Sequence, residues 1–303
     1  MSDKEKTKLE AYADGQSMPK RQSPRRKKSS AQGSVRKKTT TAAQKKKKTE
    51  QPSHTVLLDQ FTDKIEEDHN IIFKPNVGPQ TDFLAASERE VLYGGSAGGG
   101  KSYAMLADPL RFMDVPAFAG VLLRHTTEEL RELITKSQEM YPKIWPGIKW
   151  SERKMTWTAP SGATLWLSYL DKDQDVTRYQ GLAFSWIGFD ELTQWATPFA
   201  WNYMRSRLRT ADPSLPLSMR ATTNPGGRGH HWVKKMFIDP APAGNSFIAT
   251  DIESGEDLKY PAGHAKAGKP LFKRRFIPAR LRDNPYLAEQ GDYEAMLLSL
   301  PEQ

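Results

Sequence analysis

The chain of 303 residues contains no cysteine, which excludes a disulfide framework and any zinc site built on thiolates. It also lacks an apolar run of about eighteen residues, the length expected of a transmembrane helix. Its N-terminus is charged and does not resemble a signal peptide. These absences favour a soluble protein of a reducing compartment, with no membrane partner.

Most of the chain carries no excess of positive charge, although the net charge of all 303 residues is +9. Residues 1–50 contain sixteen Lys or Arg and five Asp or Glu, whereas the remainder contains 29 basic and 31 acidic side chains. Because the tail has few apolar residues, burial could not offset its ordering entropy, so we expect residues 1–52 to be disordered. An arm that binds polyanions is one interpretation of this tail, and a solubilising segment is the other.

Short apolar strands alternate with helices after the tail. Strands are predicted at residues 90–93 and 120–124, and the helix that starts at Thr126 has Glu129 in the capping-box position. Further strands are predicted from Phe184 and before Pro225. This alternation predicts an α/β fold with a mostly parallel sheet flanked by helices.

A glycine-rich stretch, YGGSAGGGKS at residues 93–102, follows the first predicted strand. It contains the pattern G-x-x-x-x-G-K-[ST], in which backbone N–H groups surround nucleotide phosphates that side chains would obstruct. We expect Lys101 to reach the β- and γ-phosphates of ATP and the Ser102 hydroxyl to ligate Mg²⁺. A flexible linker could also be rich in glycine, but it needs no strand before it and no helix after it. The residues predicted to hold the nucleotide here are Gly95, Ser96, Ala97, Gly98, Gly99, Gly100, Lys101 and Ser102.

Two acidic residues end another predicted strand, in the stretch FSWIGFDEL. Asp190 would hold the magnesium ion, and Glu191 would orient and deprotonate the attacking water, a role typical of a hydrolase. An acidic helix start that merely follows a strand is the simpler alternative. Together with the glycine-rich stretch, the pair predicts a P-loop NTPase fold of the ASCE type.

Polar residues also follow the next predicted strand. Thr222, Thr223 and Asn224 would face the γ-phosphate and sense hydrolysis, or they would form an ordinary polar turn. Gln80 would contact adenine through its amide, or it is a turn residue. Arg124 is favoured for stabilising the transition state, within or across subunits, because its strand should end near the phosphates. The other arginine candidates are Arg178, Arg205, Arg207 and Arg209.

Histidine and tryptophan residues offer two weaker indications. His230 and His231 are adjacent, and adjacent side chains on a helix point about 100° apart, so we do not expect them to share a metal ion. Trp195 and Trp201 are expected in the core, and a surface that faces DNA is the alternative.

The joint pattern resembles the large terminase subunits of tailed bacteriophages. The resemblance covers about residues 78–302 and rests on six stretches: REVLYGGSAGGGKSYAML, GVLLRHTTEEL, RYQGLAFSWIGFDEL, RATTNPGG, HHWVKKMFI and DNPYL. It places the family's coupling motif on residues 222–224 and its adenine-contacting glutamine on Gln80. The P-loop and acidic pair of the family match the residues already named.

The resemblance implies a motor that uses ATP and Mg²⁺ to drive double-stranded DNA into a procapsid. The implied partners are the portal protein of the procapsid, a small terminase subunit and further copies of the chain in a ring. The implied location is the host cytoplasm, with transient docking on the procapsid. Residues 53–250 would form the ATPase domain, and residues 251–303 its C-terminal part with a lid-like segment.

The nuclease domain usual in that family is not recognised. We therefore expect it to be encoded separately or lost by truncation, and we expect no DNA cleavage by this chain alone. The alternatives are another P-loop DNA-dependent ATPase, such as a helicase, and a DNA-binding scaffold with a vestigial ATP site.

Overall fold

A computed structural model of the protein describes residues 73–288. The tail predicted to be disordered and residues 289–303 lie outside these residues. The strands are β1 (Glu90–Gly95), β2 (Ala119–Arg124), β3 (Lys149–Ser151), β4 (Thr156–Thr158), β5 (Thr164–Tyr169), β6 (Trp186–Phe189), β7 (Ser218–Thr223), β8 (Ser246–Ile248) and β9 (Lys273–Ala279). The α-helices are α1 (Pro79–Ala85), α2 (Lys101–Ala107), α3 (Thr127–Ile144), α4 (Phe199–Arg205), α5 (His230–Val233) and α6 (Pro285–Ala288).

All nine strands form one sheet in the order β3-β4-β5-β2-β6-β7-β1-β9-β8. The six central strands, from β5 to β9, pair in parallel, and the remaining pairings at the two edges are antiparallel. The prediction of a mostly parallel sheet is therefore confirmed. Strand β7 lies between β1 and β6, so the ends of these three strands are neighbours.

The central strands are apolar on both faces because helices cover both sides of the sheet. In β1, Val91 and Tyr93 pack in one core cluster with residues of α2 and α3, while Leu92 packs in the other with residues of α4 and α5. Successive side chains of a strand point to opposite faces, which explains this division. The strand ends are thereby held between two cores.

Local signals in the sequence set several helix boundaries. Thr126 accepts a hydrogen bond from the N–H of Glu129, whose carboxylate accepts one from the N–H of Thr126, so the predicted capping box is present. Helix α2 ends at Ala107, and the chain continues through Pro109 as a 3₁₀ helix, Asp108–Phe112. A proline in the first turn of a helix needs no N–H, so it is tolerated there.

The structure also contains elements that the sequence pattern does not predict, namely α1, β3 and β8. After the acidic pair the chain forms a 3₁₀ turn, Leu192–Gln194, and α4 begins beyond Pro198. Within residues 73–288, no helix is both long enough and apolar enough to cross a membrane.

Candidate active site

The glycine-rich loop of residues 95–102, called the P-loop from here on, runs from the end of β1 into α2. Gly95, Gly98 and Gly100 have φ angles of 141°, 81° and 74°, a region that favours glycine. A Cβ atom on Gly95 would lie 1.9 Å from the carbonyl oxygen of Ala279, which ends β9. The N–H of Ser96 donates to that same carbonyl at 3.1 Å. Glycine therefore allows the loop to pass directly against the neighbouring strand, and Ala97 and Gly99 complete it.

Lys101 opens α2, and its side chain turns back onto the loop. Nζ donates to the carbonyl of Ser96 at 2.7 Å and to that of Gly95 at 3.4 Å. Burial lowers the pKa of this lysine below its usual range, although the charges of Glu191 and Asp190 act in the opposite direction. Within residues 73–288, the ammonium group donates to these two carbonyls, which phosphate oxygens can replace. Ser102 follows in the first turn of α2 and is partly exposed.

Asp190 follows β6 and is fully buried. Its Oδ1 accepts a hydrogen bond from the hydroxyl of Thr222, at the end of β7. Its Oδ2 lies 2.8 Å from Nε of Arg124, which ends β2. Neither of these two atoms has an aligned hydrogen-bond partner, so the contact is an ion pair without hydrogen-bond geometry. Three strand ends thus meet at one carboxylate.

Glu191 has a left-handed backbone, with φ 61° and ψ 56°. Such a conformation costs a non-glycine residue about 1–3 kcal/mol and is often found at functional sites. The N–H of Glu191 donates to the Thr222 hydroxyl at 3.1 Å. Its carboxylate accepts one hydrogen bond from the Asn224 N–H at 3.1 Å and another from the Asn224 side-chain amide at 2.9 Å.

The pKa of Glu191 is raised above its usual value. Burial is the largest cause, and the negative charge of Asp190 adds to it. Lys101, Arg124 and the hydrogen bond from Asn224 lower the pKa but offset only part of the increase. A carboxylate with a raised pKa is a better proton acceptor, which suits a general base.

The three polar residues after β7 contact this acidic pair or its support. Thr222 bonds to both acidic residues, and Asn224 holds the Glu191 carboxylate. Thr223 donates to the hydroxyl of Thr193 at 2.8 Å. The predicted grouping of the P-loop, the acidic pair and these residues at one end of the sheet is present.

Gln80 lies in the first turn of α1 and is buried beside the P-loop. Its amide nitrogen donates to the carbonyl of Gly100 at 2.9 Å, and its amide oxygen accepts from the N–H of Asn76 at 2.6 Å. Both polar atoms of the amide therefore bond to the main chain. The predicted contact with adenine stays a prediction.

Arg124 is the one arginine candidate that lies against the acidic pair. Arg205 instead pairs with Glu90, at the start of β1 and therefore at the opposite end of the sheet from the P-loop. Arg178 pairs with Asp175 at 2.9 Å on an exposed 3₁₀ helix. Arg207 and Arg209 flank the bridge between Leu208 and Phe184, just before β6.

His230 and His231 are both exposed, and the described residues contain no group of three or more His, Cys, Asp or Glu that could hold a metal ion. Trp195 and Trp201 are buried in the core, so their interpretation as core residues is confirmed and the DNA-facing alternative is wrong.

The sequence pattern does not predict two contacts with the P-loop. The side-chain amide of Asn284 donates to the carbonyl of Gly98 at 2.6 Å, across 186 positions of sequence. The Tyr93 hydroxyl donates to the carbonyl of Gly99 at 2.9 Å. Asn284 belongs to the stretch DNPYL, which contributes to the family resemblance, but nothing in that stretch alone indicates which residue it meets.

The model of one protein family matches residues 92–262, more than half of the chain. That family is the N-terminal part of the large terminase subunit of T4likevirus type. No curated protein matches the chain by sequence.

Several solved structures share the fold. The large terminase of a thermophilic bacteriophage is 18% identical with a TM-score of 0.52, and the match covers 75% of this chain and 51% of that one. The same terminase in complex with ADP is 16% identical, with the same TM-score and coverage. A variant of the ATPase domain of the Thermus phage P74-26 large terminase is 13% identical, with a TM-score of 0.50 and coverages of 79% and 93%. The chain thus spans about half the length of the first of these terminases, and the predicted fold class is confirmed.

Proposed function

Because this chain belongs to the family of large terminase subunits, we propose that it is an ATP-hydrolysing motor subunit that drives double-stranded viral DNA into a procapsid. One observation carries the proposal: the P-loop, the acidic pair and the polar end of β7 converge at one end of the parallel sheet. The terminase solved in complex with ADP, which shares the fold, supports nucleotide binding at such a site.

The proposed phosphate contacts come from the P-loop and Lys101. Lys101 would exchange the carbonyls of Ser96 and Gly95 for the β- and γ-phosphates, which are stronger partners for an ammonium group. Ser102 and Asp190 would hold a magnesium ion, since hydroxyl and carboxylate oxygens are ligands that this ion accepts. The ion would supply positive charge to the phosphates when bound.

Glu191 would accept the proton of the attacking water. Its carboxylate accepts two hydrogen bonds from Asn224. These bonds must break before both carboxylate oxygens are free to accept a hydrogen bond from the water. A γ-phosphate beside Asn224 would compete for the same amide. Asn224 would thereby couple the presence of the γ-phosphate to the freedom of the base, as expected of a sensor residue.

Arg124 would stabilise charge within its own subunit. It is only 7% exposed and already contacts Asp190 of the same site, so a role across a subunit boundary would require the side chain to leave its present environment. The ring, the portal protein and the small terminase subunit are proposed as partners from the family alone. The basic tail lies outside the described residues, and its role as a DNA-binding arm stays a prediction.

The direct test is ATP turnover by the purified full chain with and without linear double-stranded DNA, in Mg²⁺ and in EDTA. The proposal predicts Mg²⁺-dependent hydrolysis that DNA stimulates. Lys101→Ala should abolish it, and Lys143→Ala, a matched change of an exposed lysine on α3, should leave it intact. DNA binding without any hydrolysis would instead support the scaffold with a vestigial ATP site.

A further inference from the structure

A hairpin of residues 258–271 lies between β8 and β9. Its two halves run antiparallel, and the N–H of Leu271 donates to the carbonyl of Leu258 at 2.8 Å. Every residue of its tip, residues 261–268, is exposed. The hairpin leads into the start of β9, which pairs with the start of β1, so it lies at the end of the sheet opposite the P-loop. Because the tip is exposed, packing in the core does not account for its shape.

Local contacts hold the tip in shape. The rings of Tyr260 and His264 stack with 4.5 Å between their centroids and 16° between their planes. The N–H of Gly268 donates to the carbonyl of Tyr260 at 3.0 Å. The N–H of Lys266 donates to Nδ1 of His264 at 3.0 Å, and its ammonium group lies 5.8 Å from the centre of the Tyr260 ring, a cation–π distance. A tip that is already ordered loses little conformational entropy when it binds a partner.

The hairpin carries a concentration of positive charge that the rest of the chain after residue 50 lacks. Residues 258–282 contain eight Lys or Arg and no Asp or Glu. Three of these basic residues are exposed lysines of the hairpin: Lys259, Lys266 and Lys269. Lys259 lies 2.9 Å from Asp257, but both side chains are exposed, so water screens this pair and leaves it weak. No function assigned above uses this charge.

The residue types of the hairpin favour contact with a phosphate backbone. Its sequence, LKYPAGHAKAGKPL, contains no Arg, Asn or Gln, the side chains that most often read the edges of bases. Lysine binds phosphate as a point charge, and phosphate contacts carry no sequence information. The alanines and glycines between the lysines keep the tip narrow, and the major groove of duplex DNA admits a two-stranded ribbon. A motor that moves along any sequence needs contacts of this kind.

We propose that this hairpin binds the phosphate backbone of double-stranded DNA through Lys259, Lys266 and Lys269. The proposal rests on the proposed function, since it names a surface of the folded part that meets the DNA. It is separate from the prediction that the basic tail binds DNA. The hairpin lies at the other end of the sheet from Lys101 and Glu191, so loss of its charge should leave basal ATP turnover unchanged.

The first test compares two full-length variants of equal net charge. One replaces the three hairpin lysines with glutamine, and the control replaces three exposed lysines elsewhere, Lys143, Lys149 and Lys154. Fluorescence anisotropy of a labelled duplex of mixed sequence, titrated at several salt concentrations, gives the slope of log K against log salt. Each phosphate contact contributes roughly 0.9 to this slope, so we expect the hairpin variant to lower it by about two to three. The control should keep the slope of the wild type.

A second test detects the contact itself. Because the chain has no cysteine, Ala265→Cys provides a single thiol at the tip of the hairpin, and Lys143→Cys provides one on α3 as the control. A benzophenone attached to each thiol is irradiated in the presence of duplex DNA. We expect crosslinks to DNA from the hairpin position and only background from the control position.

Three outcomes would overturn the proposal. Equal salt slopes in the two lysine variants would show that the hairpin lysines do not contact phosphates, and the proposed function would stand with DNA bound elsewhere. Crosslinks from the hairpin to another copy of the chain, and none to DNA, would show that the hairpin contacts protein. If the wild-type chain did not bind duplex DNA, the proposed function would fail and the hairpin proposal with it.

Discussion

A buried glutamate, Glu90, and a partly buried one, Glu191, stand at opposite ends of the same parallel sheet, and their pKa values shift in opposite directions. Glu90 begins β1, and Glu191 follows β6. Burial alone would raise the pKa of Glu90, but the charges and hydrogen bonds of Arg205 and Arg274 together lower it. Burial raises the pKa of Glu191, and Asp190 adds to this effect, so its nearby cations do not restore the usual value.

We interpret this difference as one between a structural charge at Glu90 and the functional charge that we propose at Glu191. The partners of Glu90 are permanent: Arg274 donates to its carboxylate at 2.7 Å and is 1% exposed, and Arg205 bonds to it from α4. Glu191 is held by Asn224, which carries no charge and can exchange partners. A carboxylate whose negative charge is neutralised by buried cations stabilises the fold. A carboxylate whose charge is only partly neutralised can take up a proton.

The comparison is tested most strongly by replacing each glutamate with glutamine, which removes the charge. Glu191→Gln keeps the shape of the side chain but cannot accept a proton from water. ATP turnover should fall by about 10²–10⁴-fold, the usual contribution of a general base. Glu90→Gln should retain turnover per folded molecule. Steady-state phosphate release measures both, and comparable losses in the two variants would remove the distinction.

The reverse contrast is expected in stability. Glu90→Gln leaves Arg274 buried without a counter-charge, and breaking a buried ion pair in this way typically costs about 3–5 kcal/mol. Glu191→Gln should cost much less, because ionised Glu191 is itself disfavoured by burial and by Asp190. Urea denaturation at neutral pH gives the free energy of unfolding for each. A greater loss for Glu191→Gln than for Glu90→Gln would contradict the assignment.

A smaller effect is expected at the residue that holds Glu191. Asn224→Ala deletes the side-chain bond, worth about 1–3 kcal/mol where a buried partner is left unsatisfied. ATP turnover should then depend less on DNA, and we expect the ratio of DNA-stimulated to basal turnover to fall about tenfold. Asn202→Ala, an exposed asparagine on α4, is the matched control. An unchanged ratio would exclude the sensor role.

The smallest effect is a displacement of the pH profile. Glu191 must be deprotonated to act as a base, and its pKa is raised, so the acidic limb of kcat/KM should lie above the usual glutamate value of 4.5. Lys101 must be protonated to bind phosphate, and burial lowers its pKa, so the alkaline limb should lie below the usual 10.5. A profile with an acidic limb at or below 4.5 would assign that limb to another group.

The sequence alone predicts the functional end of the sheet well because its signals are local. The glycines, Lys101 and Ser102 follow one strand directly, and Asp190 and Glu191 follow another. In a parallel sheet the strand ends meet at one edge, so their convergence follows from the fold class. Arg124 ends a strand at the same end of the sheet and lies against Asp190, and its role in stabilising the transition state stays a prediction.

The contacts that Arg205 makes at the start of β1 and that Asn284 makes with the P-loop could not be predicted in this way. Charge alone does not distinguish Arg205 from Arg124 as a candidate. Arg205 lies away from the active site, where it pairs with Glu90, 115 positions away. The bond from Asn284 to Gly98 is equally remote. Such contacts depend on which strands become neighbours, and a single sequence carries no local signal for them. The predicted domain boundaries stay predictions.

We propose that Glu191 performs the hydrolytic step at a site that binds ATP even when this residue is replaced. The most direct measurement is the identity of the nucleotide recovered from the Glu191→Gln chain after incubation with ATP, Mg²⁺ and DNA. We expect the bound nucleotide to be recovered mainly as ATP, at an occupancy close to that of the wild type, which should yield ADP. Recovery of ADP from the variant at the rate of the wild type would contradict this role of Glu191.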